Sequence, residues 1–432
     1  MRLLKSLTSD RVPLRSCQAF SSGSVVDVLA GVFNPVIWSR MKLLHLIHSA
    51  DPASGGPIEN IRQMAPIYLS NGVDANVVTL DPPDAKYLSD FPLKVRSAGQ
   101  TYGGKYGYSP ELIPWLKRNR QKYDCVIVNG IWQFHSYACW AALHKTDTPY
   151  VVFTHGMLDP WFRRQYPLKH LKKWLYWPWA EYRVLRDAKL VLFTSEEERT
   201  LATKSFWLYK ANPFVVGYGT RVPKFDLEAL RREFFSQHTH LQGKRLAIFV
   251  GRIHPKKGCD LLIQAFHRTL AQNPEWHLLM VGPDQVGWKA ELEQISGACG
   301  IRDRITWPGM LRDERKWSAL AASEVFVLPS HQENFGIVVA EALACGVPVL
   351  ISDKVNIWRE IENEQAGFVE EDSLQGTINL LDAWSRLEGS ERTRMSIHAR
   401  QCFERHFDLD RNGVRLLEKL RSISQRASPA QA

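Results

Sequence analysis

Residues 246–270, LAIFVGRIHPKKGCDLLIQAFHRTL, contain three kinds of segment in an order that decides the fold. The apolar run at 246–250 predicts a buried strand, and the turn at 251–258 is rich in glycine and cations. Residues 259–270 then show the apolar spacing of a helix. A strand, a tight turn and a helix in this order begin a βαβ unit, which builds a parallel sheet.

The same alternation continues on both sides of this stretch. Strands are predicted at residues 42–47, 75–80, 125–128, 150–153, 190–193 and 214–216, and again at 277–281, 305–307, 325–328 and 347–351. Helical patterns separate these runs, as at residues 337–344. We therefore predict an α/β protein with two Rossmann-like, doubly wound domains that face each other across a cleft, where a ligand would bind.

The polar segment 221–243 divides the chain into two halves. We predict an N-terminal domain at 41–222 and a C-terminal domain at 223–432, which ends in helices, the last of which could pack back on the first domain. Residues 1–40 are Ser-rich and basic and precede a second methionine, Met41. We interpret them as a poorly ordered leader or a mis-assigned start rather than a transit peptide.

The bulk composition favours a folded protein with phosphate-bearing partners. The 432 residues carry a formal net charge of +10, which suits nucleic acid, an anionic membrane or a nucleotide equally well. The seven cysteines are scattered without a metal-binding spacing, which indicates a reducing, cytoplasmic compartment. No apolar run approaches the ~20 residues of a membrane-spanning helix.

The turn at 251–258 has the features of a phosphate site. Arg252 offers a planar fork of donors and Lys257 a compact charge, beside the N-terminus of the predicted helix. Free N–H groups and the helix dipole favour anions there. A pyrophosphate fits this arrangement, although a solvated basic turn would carry the same residues.

Two glutamates give the second signal. Glu333 lies in a polar loop after the strand at 325–328, and Glu341 lies in the helix at 337–344, which has almost no polar face. A carboxylate buried in such a helix needs a specific hydrogen-bonding partner, and a ribose diol would serve. Helix capping or a hydrogen bond to backbone is the alternative.

Together these motifs resemble a known family. The pattern G-R-x4-K-G at 251–258, E-x7-E at 333–341 and ALACGVPV at 342–349 are similar to those of the retaining glycosyltransferases of family 4, glycosyl transferases group 1, which have the GT-B fold. The resemblance covers residues 41–425. It implies that Arg252 and Lys257 hold the pyrophosphate of a nucleotide-sugar donor and that Glu341 binds the ribose. The donor sugar would be held by Glu333, Asn334 and the amides of Phe335, Gly336 and Ile337.

The first domain offers further candidates. Gly55 and Gly56 follow the first strand, where they could let backbone approach a phosphate or could simply form a tight turn. The resemblance assigns the pair to donor binding. It also places His155 beside the donor sugar, as a catalytic residue with Arg252, Lys257 and Glu333, although a lone histidine is more often structural. The family commonly has Asn-Gly where this chain has Tyr218-Gly219, so the hinge contact usually made there is open.

The acceptor side has one candidate segment. Residues 161–189 combine many aromatic and basic side chains, which an element in a lipid headgroup layer would use. A lipid-linked acceptor and peripheral contact with an anionic membrane fit this composition, as do core aromatics with solvated cations. Nucleic acid is not expected as a partner.

Two short patterns are given structural interpretations. Asp408 and Asp410 form a D-x-D, but they fall in the C-terminal helical region, and we predict no required metal and no cofactor. Residues 195–198 match the S-x-x-E of a helix-capping box.

The predicted function is hexosyl transfer with retention from a nucleotide sugar to a lipid-linked or polysaccharide precursor in cell-surface glycan synthesis. The alternatives are a glycosyltransferase with a soluble acceptor, a sugar-nucleotide epimerase on the same fold, and an inactive scaffold subunit. The donor base and sugar stay open, because they depend on loop detail.

Overall fold

The computed structural model describes residues 41–165, 167–222 and 226–424. The predicted leader at 1–40 lies outside these ranges, and the predicted domain boundary near residue 222 adjoins the undescribed residues 223–225. Two parallel sheets follow each other along the described chain. No helix in the described ranges is both long enough and apolar enough to cross a membrane.

The first sheet has seven strands in the order β3-β2-β1-β4-β5-β6-β7. Its strands are β1 Lys42–Ile47, β2 Asp74–Thr79, β3 Lys94–Ser97, β4 Cys125–Asn129, β5 Tyr150–Phe153, β6 Leu190–Phe193 and β7 Pro213–Val215. Its helices are α1 Gly56–Ser70, α2 Leu112–Asn119, α3 Phe134–Leu143, α4 Trp161–Gln165, α5 Pro167–Tyr176, α6 Glu181–Asp187 and α7 Glu196–Ala202.

The second sheet has six strands in the order β10-β9-β8-β11-β12-β13. Its strands are β8 Arg245–Val250, β9 Trp276–Val281, β10 Ile305–Gly309, β11 Val325–Leu328, β12 Val349–Ser352 and β13 Gly367–Glu370. The helices of this half are α8 Leu227–Gln237, α9 Cys259–Arg268, α10 Lys289–Ala298, α11 Asp313–Ala322, α12 Ile337–Ala344, α13 Trp358–Asn363, α14 Leu374–Arg386, α15 Gly389–Cys402 and α16 Leu409–Ile423.

Every predicted strand is present, and two strands were missed. β3 and β13 lie at sheet edges, where only one neighbour pairs with them and their residues are partly exposed. An edge strand need not be apolar on both faces, and β3 and β13 include charged residues, so the hydrophobic pattern does not reveal them. The other two edge strands, β7 and β10, were predicted from short apolar runs.

The strand orders create two crevices. In each sheet the order reverses beside the first strand, between β1 and β4 and between β8 and β11. Connections leave in opposite directions at such a switch point, so a crevice opens at the carboxyl ends of the strands. The loops after β4, β8 and β11 therefore occupy the positions at which an open α/β sheet binds ligands.

The last helix leaves the second sheet and packs on the first domain. Leu417 and Leu420 of α16 are fully buried in a cluster with Ile67 of α1. A Cβ at Gly413 would approach Ile67 to 2.7 Å, so the two helices meet at a glycine. Burial of about 1.5 to 3 kcal/mol per leucine makes this contact a substantial tie.

Two buried histidines predict how stability depends on pH. Burial lowers the pKa of His45 to about 3 and that of His135 to about 4. The unfolded chain binds their protons near pH 6.5, so it holds more protons than the native state between about pH 6.5 and 4, and stability falls as the pH falls. We expect each histidine to cost about 2 kcal/mol at pH 5 relative to pH 7.

Urea denaturation at pH 7 and pH 5 measures this loss. His45→Gln, which keeps a polar side chain facing the hydroxyl of Tyr68, 2.9 Å from the imidazole in the native chain, removes the protonation of His45. Its stability should therefore depend less steeply on pH than that of the wild type. Identical pH dependence in the two proteins would contradict the assignment of His45.

Candidate active site

The turn after β8 holds the two predicted phosphate ligands in different environments. Gly258, in the left-handed region at φ +65°, begins α9, and a Cβ there would lie 2.2 Å from the carbonyl oxygen of Pro329. Arg252 is exposed, and among the described residues its guanidinium donates only to the side chain of Gln285, at 3.4 Å. Lys257 is buried, with 9% of its surface exposed. Arg252 is therefore free to meet a ligand, whereas Lys257 is fixed by the protein.

Lys257 is fixed by Glu333. Its ammonium donates to the Glu333 carboxylate, which lies in the loop between β11 and α12. Burial raises the pKa of Glu333, but the charge and hydrogen bond of Lys257 more than offset this, so the pKa is lowered from its ordinary value. The two predicted ligands, which belonged to separate motifs, form one charge pair, and Glu333 is held as a carboxylate.

Glu341 is paired by a residue that the sequence analysis missed. The side chain lies in α12, 5% exposed, and one carboxylate oxygen accepts from the Lys316 ammonium of α11 at 2.6 Å. The other oxygen has no partner among the described residues. Burial raises the pKa of Glu341 despite Lys316. This second oxygen is therefore an unused hydrogen-bonding atom that a ligand could contact.

His155 follows β5 and has an uncommon backbone conformation, with φ +48°. Its ring stacks on Phe153, with the centroids 4.2 Å apart, and its Nε2 has no partner in the described ranges. Burial, with a smaller contribution from His45, lowers the pKa of His155 to about 3. The imidazole is therefore neutral at physiological pH. Its Nε2 can make one hydrogen bond with a ligand, as donor or acceptor according to the tautomer.

Residues of the first and second domains line a common cavity of about 260 Å³. The predicted site residues that line it are Gly56, His155, Glu333, Asn334, Phe335, Gly336 and Ile337. Gly55 is adjacent, at φ +89°, where it caps α1. Arg252, Lys257 and Glu341 do not line this cavity; Lys257 joins it through Glu333. The loop that contains Glu333 and the loop that contains His155 therefore line the same cavity.

Two family profiles match the chain on either side of the undescribed residues 223–225. The profile of glycosyl transferases group 1 matches residues 231–401, and that of the glycosyl transferase 4-like domain matches residues 55–219. The chain belongs to the group 1, family 4 glycosyltransferases. It has the two Rossmann-like domains of the GT-B fold.

Curated relatives support this glycosyltransferase assignment over different lengths. The chain is 24% identical over 353 residues to a GDP-mannose:cellobiosyl-diphosphopolyprenol alpha-mannosyltransferase of Xanthomonas campestris, covering 79% of this chain and 87% of that enzyme. It is 35% identical over 185 residues to a D-inositol 3-phosphate glycosyltransferase of Geodermatophilus obscurus, covering 40% and 39%. The match to an alpha-D-kanosaminyltransferase of Streptomyces kanamyceticus, 28% identical, covers 44% of this chain and 49% of that relative.

Solved structures share the fold at low sequence identity. A glycosyltransferase from Rickettsia africae has a TM-score of 0.70 at 16% identity, over 90% of this chain and 100% of that one. Anabaena HepE in complex with UDP and glucose has a TM-score of 0.65 at 20% identity, over 88% and 100%. These likenesses establish the GT-B architecture of this glycosyltransferase.

Tyr218 supplies a contact that the sequence left open. Its hydroxyl donates to the carbonyl oxygen of Gly56 at 2.9 Å, and its ring meets that of Phe335 edge-to-face, with the centroids 5.0 Å apart. Burial raises the pKa of Tyr218. One tyrosine therefore connects the glycine turn of the first domain with the loop between β11 and α12 in the second.

The predicted capping box at 195–198 is only half formed, because Glu198 makes other contacts. Ser195 does cap α7, since its hydroxyl accepts from the backbone N–H of Glu198 at 3.1 Å. The Glu198 carboxylate does not return to Ser195. It is buried and accepts four hydrogen bonds of 2.6 to 2.7 Å, from the Thr154 hydroxyl, the Gly156 N–H, and the N–H and hydroxyl of Thr194. Glu198 therefore fixes both sides of the His155 loop, because tertiary donors outcompete the local one.

Replacing Glu198 with glutamine should lower kcat at least about tenfold, because an amide NH2 cannot accept from the donors that face one carboxylate oxygen, and one unmet buried donor costs about 1 to 3 kcal/mol. Nucleotide binding should persist, since the donors to Glu198 belong to residues 154, 156 and 194, none of which is a predicted nucleotide ligand. Steady-state kinetics and nucleotide titration measure the two effects. Glu196→Gln is the matched control, because Glu196 lies in the same turn of α7 and pairs with Arg199 at the surface. Equal kcat values in the two variants would contradict the role of Glu198.

The D-x-D pattern has structural roles. Asp408 caps α16 by accepting from the N–H of Arg411, and Asp410 forms an ion pair with Arg221. Among the described residues of the glycosyltransferase, no three His, Cys, Asp or Glu side chains are grouped as a metal site would require. Both aspartates are thus engaged within the protein.

Proposed function

We propose that the enzyme transfers a hexosyl group, with retention of anomeric configuration, from a nucleotide sugar to a lipid-linked or polysaccharide precursor in cell-surface glycan synthesis. The observation that carries the proposal is the pairing of Lys257 with Glu333 beside His155 and the backbone of residues 335–337. A cation for the leaving group and a carboxylate for sugar hydroxyls are thereby held in one cleft.

Lys257 and Arg252 would act on the departing diphosphate. Negative charge grows on the leaving oxygen as the anomeric C–O bond breaks, and preorganised cations stabilise it most in a site that excludes water. The diphosphate competes with Glu333 for the Lys257 ammonium, so donor binding would release the carboxylate oxygens toward the sugar. Neutral His155 would contribute a hydrogen bond rather than a charge.

We expect retention to arise by front-face transfer rather than by double displacement, because the two predicted glutamates of the site are already paired in the described structure. Double displacement uses two carboxyl groups on opposite sides of the scissile bond. Glu333, which lines the cavity, is paired with Lys257, and Glu341 is paired with Lys316. In the proposed step the leaving phosphate oxygen accepts the proton of the acceptor hydroxyl, and the acceptor oxygen bonds to the anomeric carbon on the face from which the phosphate departs. No metal or cofactor takes part in this proposal.

The donor assignment is tested by screening UDP-, GDP- and ADP-sugars for thermal stabilisation, followed by NMR of the product made from the best donor. An α-linked donor should give an α-linked product. A β-linked product would refute retention, and an altered sugar formed without acceptor would indicate an epimerase. Full donor binding without any transfer to glycan or lipid-linked acceptors would favour the scaffold.

The proposed acceptor side includes contact with the cytoplasmic face of an anionic membrane. On α5 three leucines lie on one outward stripe, Leu168, Leu171 and Leu175, which are 78%, 57% and 66% exposed. Residues 161–180 contain basic side chains and no acidic one. A helix that turns its apolar stripe to solvent and carries only positive charge suits an anionic lipid surface.

Part of the segment 161–189 belongs to the protein core. Trp177 is fully buried, so for this residue the alternative of a core aromatic is correct. Trp174, by contrast, is 42% exposed and stacks on Trp207, which is 49% exposed. The exposed aromatics therefore extend the leucine stripe from α5 to the loop that follows α7.

Substituting both Leu171 and Leu175 with glutamate should weaken binding to vesicles of phosphatidylcholine and phosphatidylglycerol at least about tenfold, since each leucine contributes roughly 1.5 to 3 kcal/mol when buried and the new charges are repelled. Co-sedimentation measures the bound fraction. Leu69→Glu is the control, because Leu69 is 81% exposed on α1, away from the stripe. Unchanged binding by the double variant would refute the membrane contact.

A further inference from the structure

A series of cation–aromatic and aromatic contacts leads from the turn at 251–258 into the first domain. The Lys256 ammonium lies 4.9 Å from the ring centroid of Trp161, and Trp161 meets Phe162 edge-to-face. The Lys173 ammonium lies 5.5 Å from the ring of Phe162 and 4.6 Å from that of Trp132. Lys173 is therefore connected with the turn at 251–258 through a series of cation–aromatic and aromatic contacts.

Trp132 marks the ligand crevice of the first sheet. It follows β4, at the switch point beside β1, and has φ +76°, a conformation that a bulky residue adopts only under constraint. The constraint comes from Glu181, which is fully buried and accepts from the Trp132 N–H and the Ser136 hydroxyl, both at 2.8 Å. Strained backbone of this kind is concentrated at functional sites.

The Lys173 ammonium contacts aromatic rings rather than a hydrogen-bond acceptor in the described structure. Among the residues that the structure describes, no acceptor lies within hydrogen-bond or ion-pair distance of its ammonium, which faces two aromatic rings instead. Burial lowers its pKa to about 8, although Glu181 opposes this through space. Its three N–H donors are thus left for water or for a ligand to meet.

The two faces of α5 carry different kinds of side chain. Lys173 lies on the inward face with His170, which stacks on Phe206, while Leu168, Leu171 and Leu175 lie on the outward face. We propose that Lys173, framed by Trp132 and Phe162, binds a phosphate group of the acceptor on the inward side of α5, while the leucine stripe on the outward side contacts the lipid surface. This inference rests on the proposed function and adds to it the chemical class of the acceptor, a glycosyl phosphate or diphosphate. A compact ammonium suits phosphate, which it can contact from several directions.

The inference is tested with farnesyl diphosphate, inorganic pyrophosphate and farnesol as probes, titrated by calorimetry into the full chain saturated with the nucleoside diphosphate that stabilises it most. Saturation occupies Arg252 and Lys257, so the probes report the second site. Lys173→Met should bind farnesyl diphosphate at least about tenfold more weakly than wild type, as expected for loss of a charge-assisted hydrogen bond, and farnesol equally well.

Two further variants make the comparison strict. Lys172→Met, on the exposed side of the same helix, should stay within about twofold of wild type, and Lys173→Arg should retain most of the binding. Thermal melts show that each variant is folded. If Lys173→Met binds farnesyl diphosphate as tightly as wild type, or if wild type binds farnesol equally well, the inference is wrong.

Inorganic pyrophosphate distinguishes the source of the phosphate. Weak binding of pyrophosphate beside tight binding of farnesyl diphosphate supports a lipid-linked acceptor. Equal affinities support the same phosphate site with a soluble glycosyl phosphate. Nucleoside diphosphate binding is measured separately, so its failure would count against the proposed donor site, whereas its success with an insensitive Lys173→Met would refute only the acceptor phosphate site.

Discussion

Replacing Lys257 with alanine should lower kcat by about a hundredfold to a thousandfold, the effect typical of removing one preorganised donor from a developing negative charge. It should also destabilise the fold by about 1 to 3 kcal/mol, because the Glu333 carboxylate loses its partner while it stays largely buried. Steady-state kinetics and urea denaturation measure the two losses.

Arg252→Ala and a double variant separate catalysis from folding. Arg252 is exposed, so its removal should lower activity and leave stability within about 0.5 kcal/mol of wild type. Combining Lys257→Ala with Glu333→Gln should recover stability, since no charge is then left unpaired, but it should not recover turnover. Full activity in Lys257→Ala would refute the leaving-group role.

Gly258→Ala should reduce kcat at least about a hundredfold and destabilise the second domain by roughly 3 kcal/mol or more, as overpacking adds to backbone strain. The new Cβ would lie 2.2 Å from the Pro329 carbonyl oxygen, which is backbone and cannot turn away. The turn would therefore move from the end of β11, and Lys257 would move with it. Kinetics and denaturation of the purified variant measure both effects.

Gly243→Ala separates the effect of backbone strain from that of overpacking. Gly243 has φ +74°, close to the +65° of Gly258, but no atom lies within 4 Å of the Cβ position. Its substitution should therefore cost only the backbone strain, about 1 kcal/mol, and leave kcat unchanged. Equal losses of stability at the two positions would show that the approach of the turn to Pro329 is unimportant.

The local sequence predicted the elements that carry the donor motifs. Apolar runs of four to six residues marked the buried parallel strands, because such strands must be apolar on both faces. The edge strands β3 and β13 lacked that signal. The fully apolar surroundings of Glu341 likewise indicated that its carboxylate needs a partner, but the partner in the described structure, Lys316, lies on another helix.

What the sequence determined alone is thus the doubly wound fold, the order of its motifs and the residue types that suit a nucleotide sugar. The tertiary structure decided which side chains meet: Lys257 with Glu333, Glu198 with both sides of the His155 loop, and Tyr218 with Gly56 and Phe335. It also decided that the leucine stripe of α5 faces outward. The reason is physical, since periodicity depends on neighbours along the chain, whereas pairing and exposure depend on how sheets and helices pack at long range.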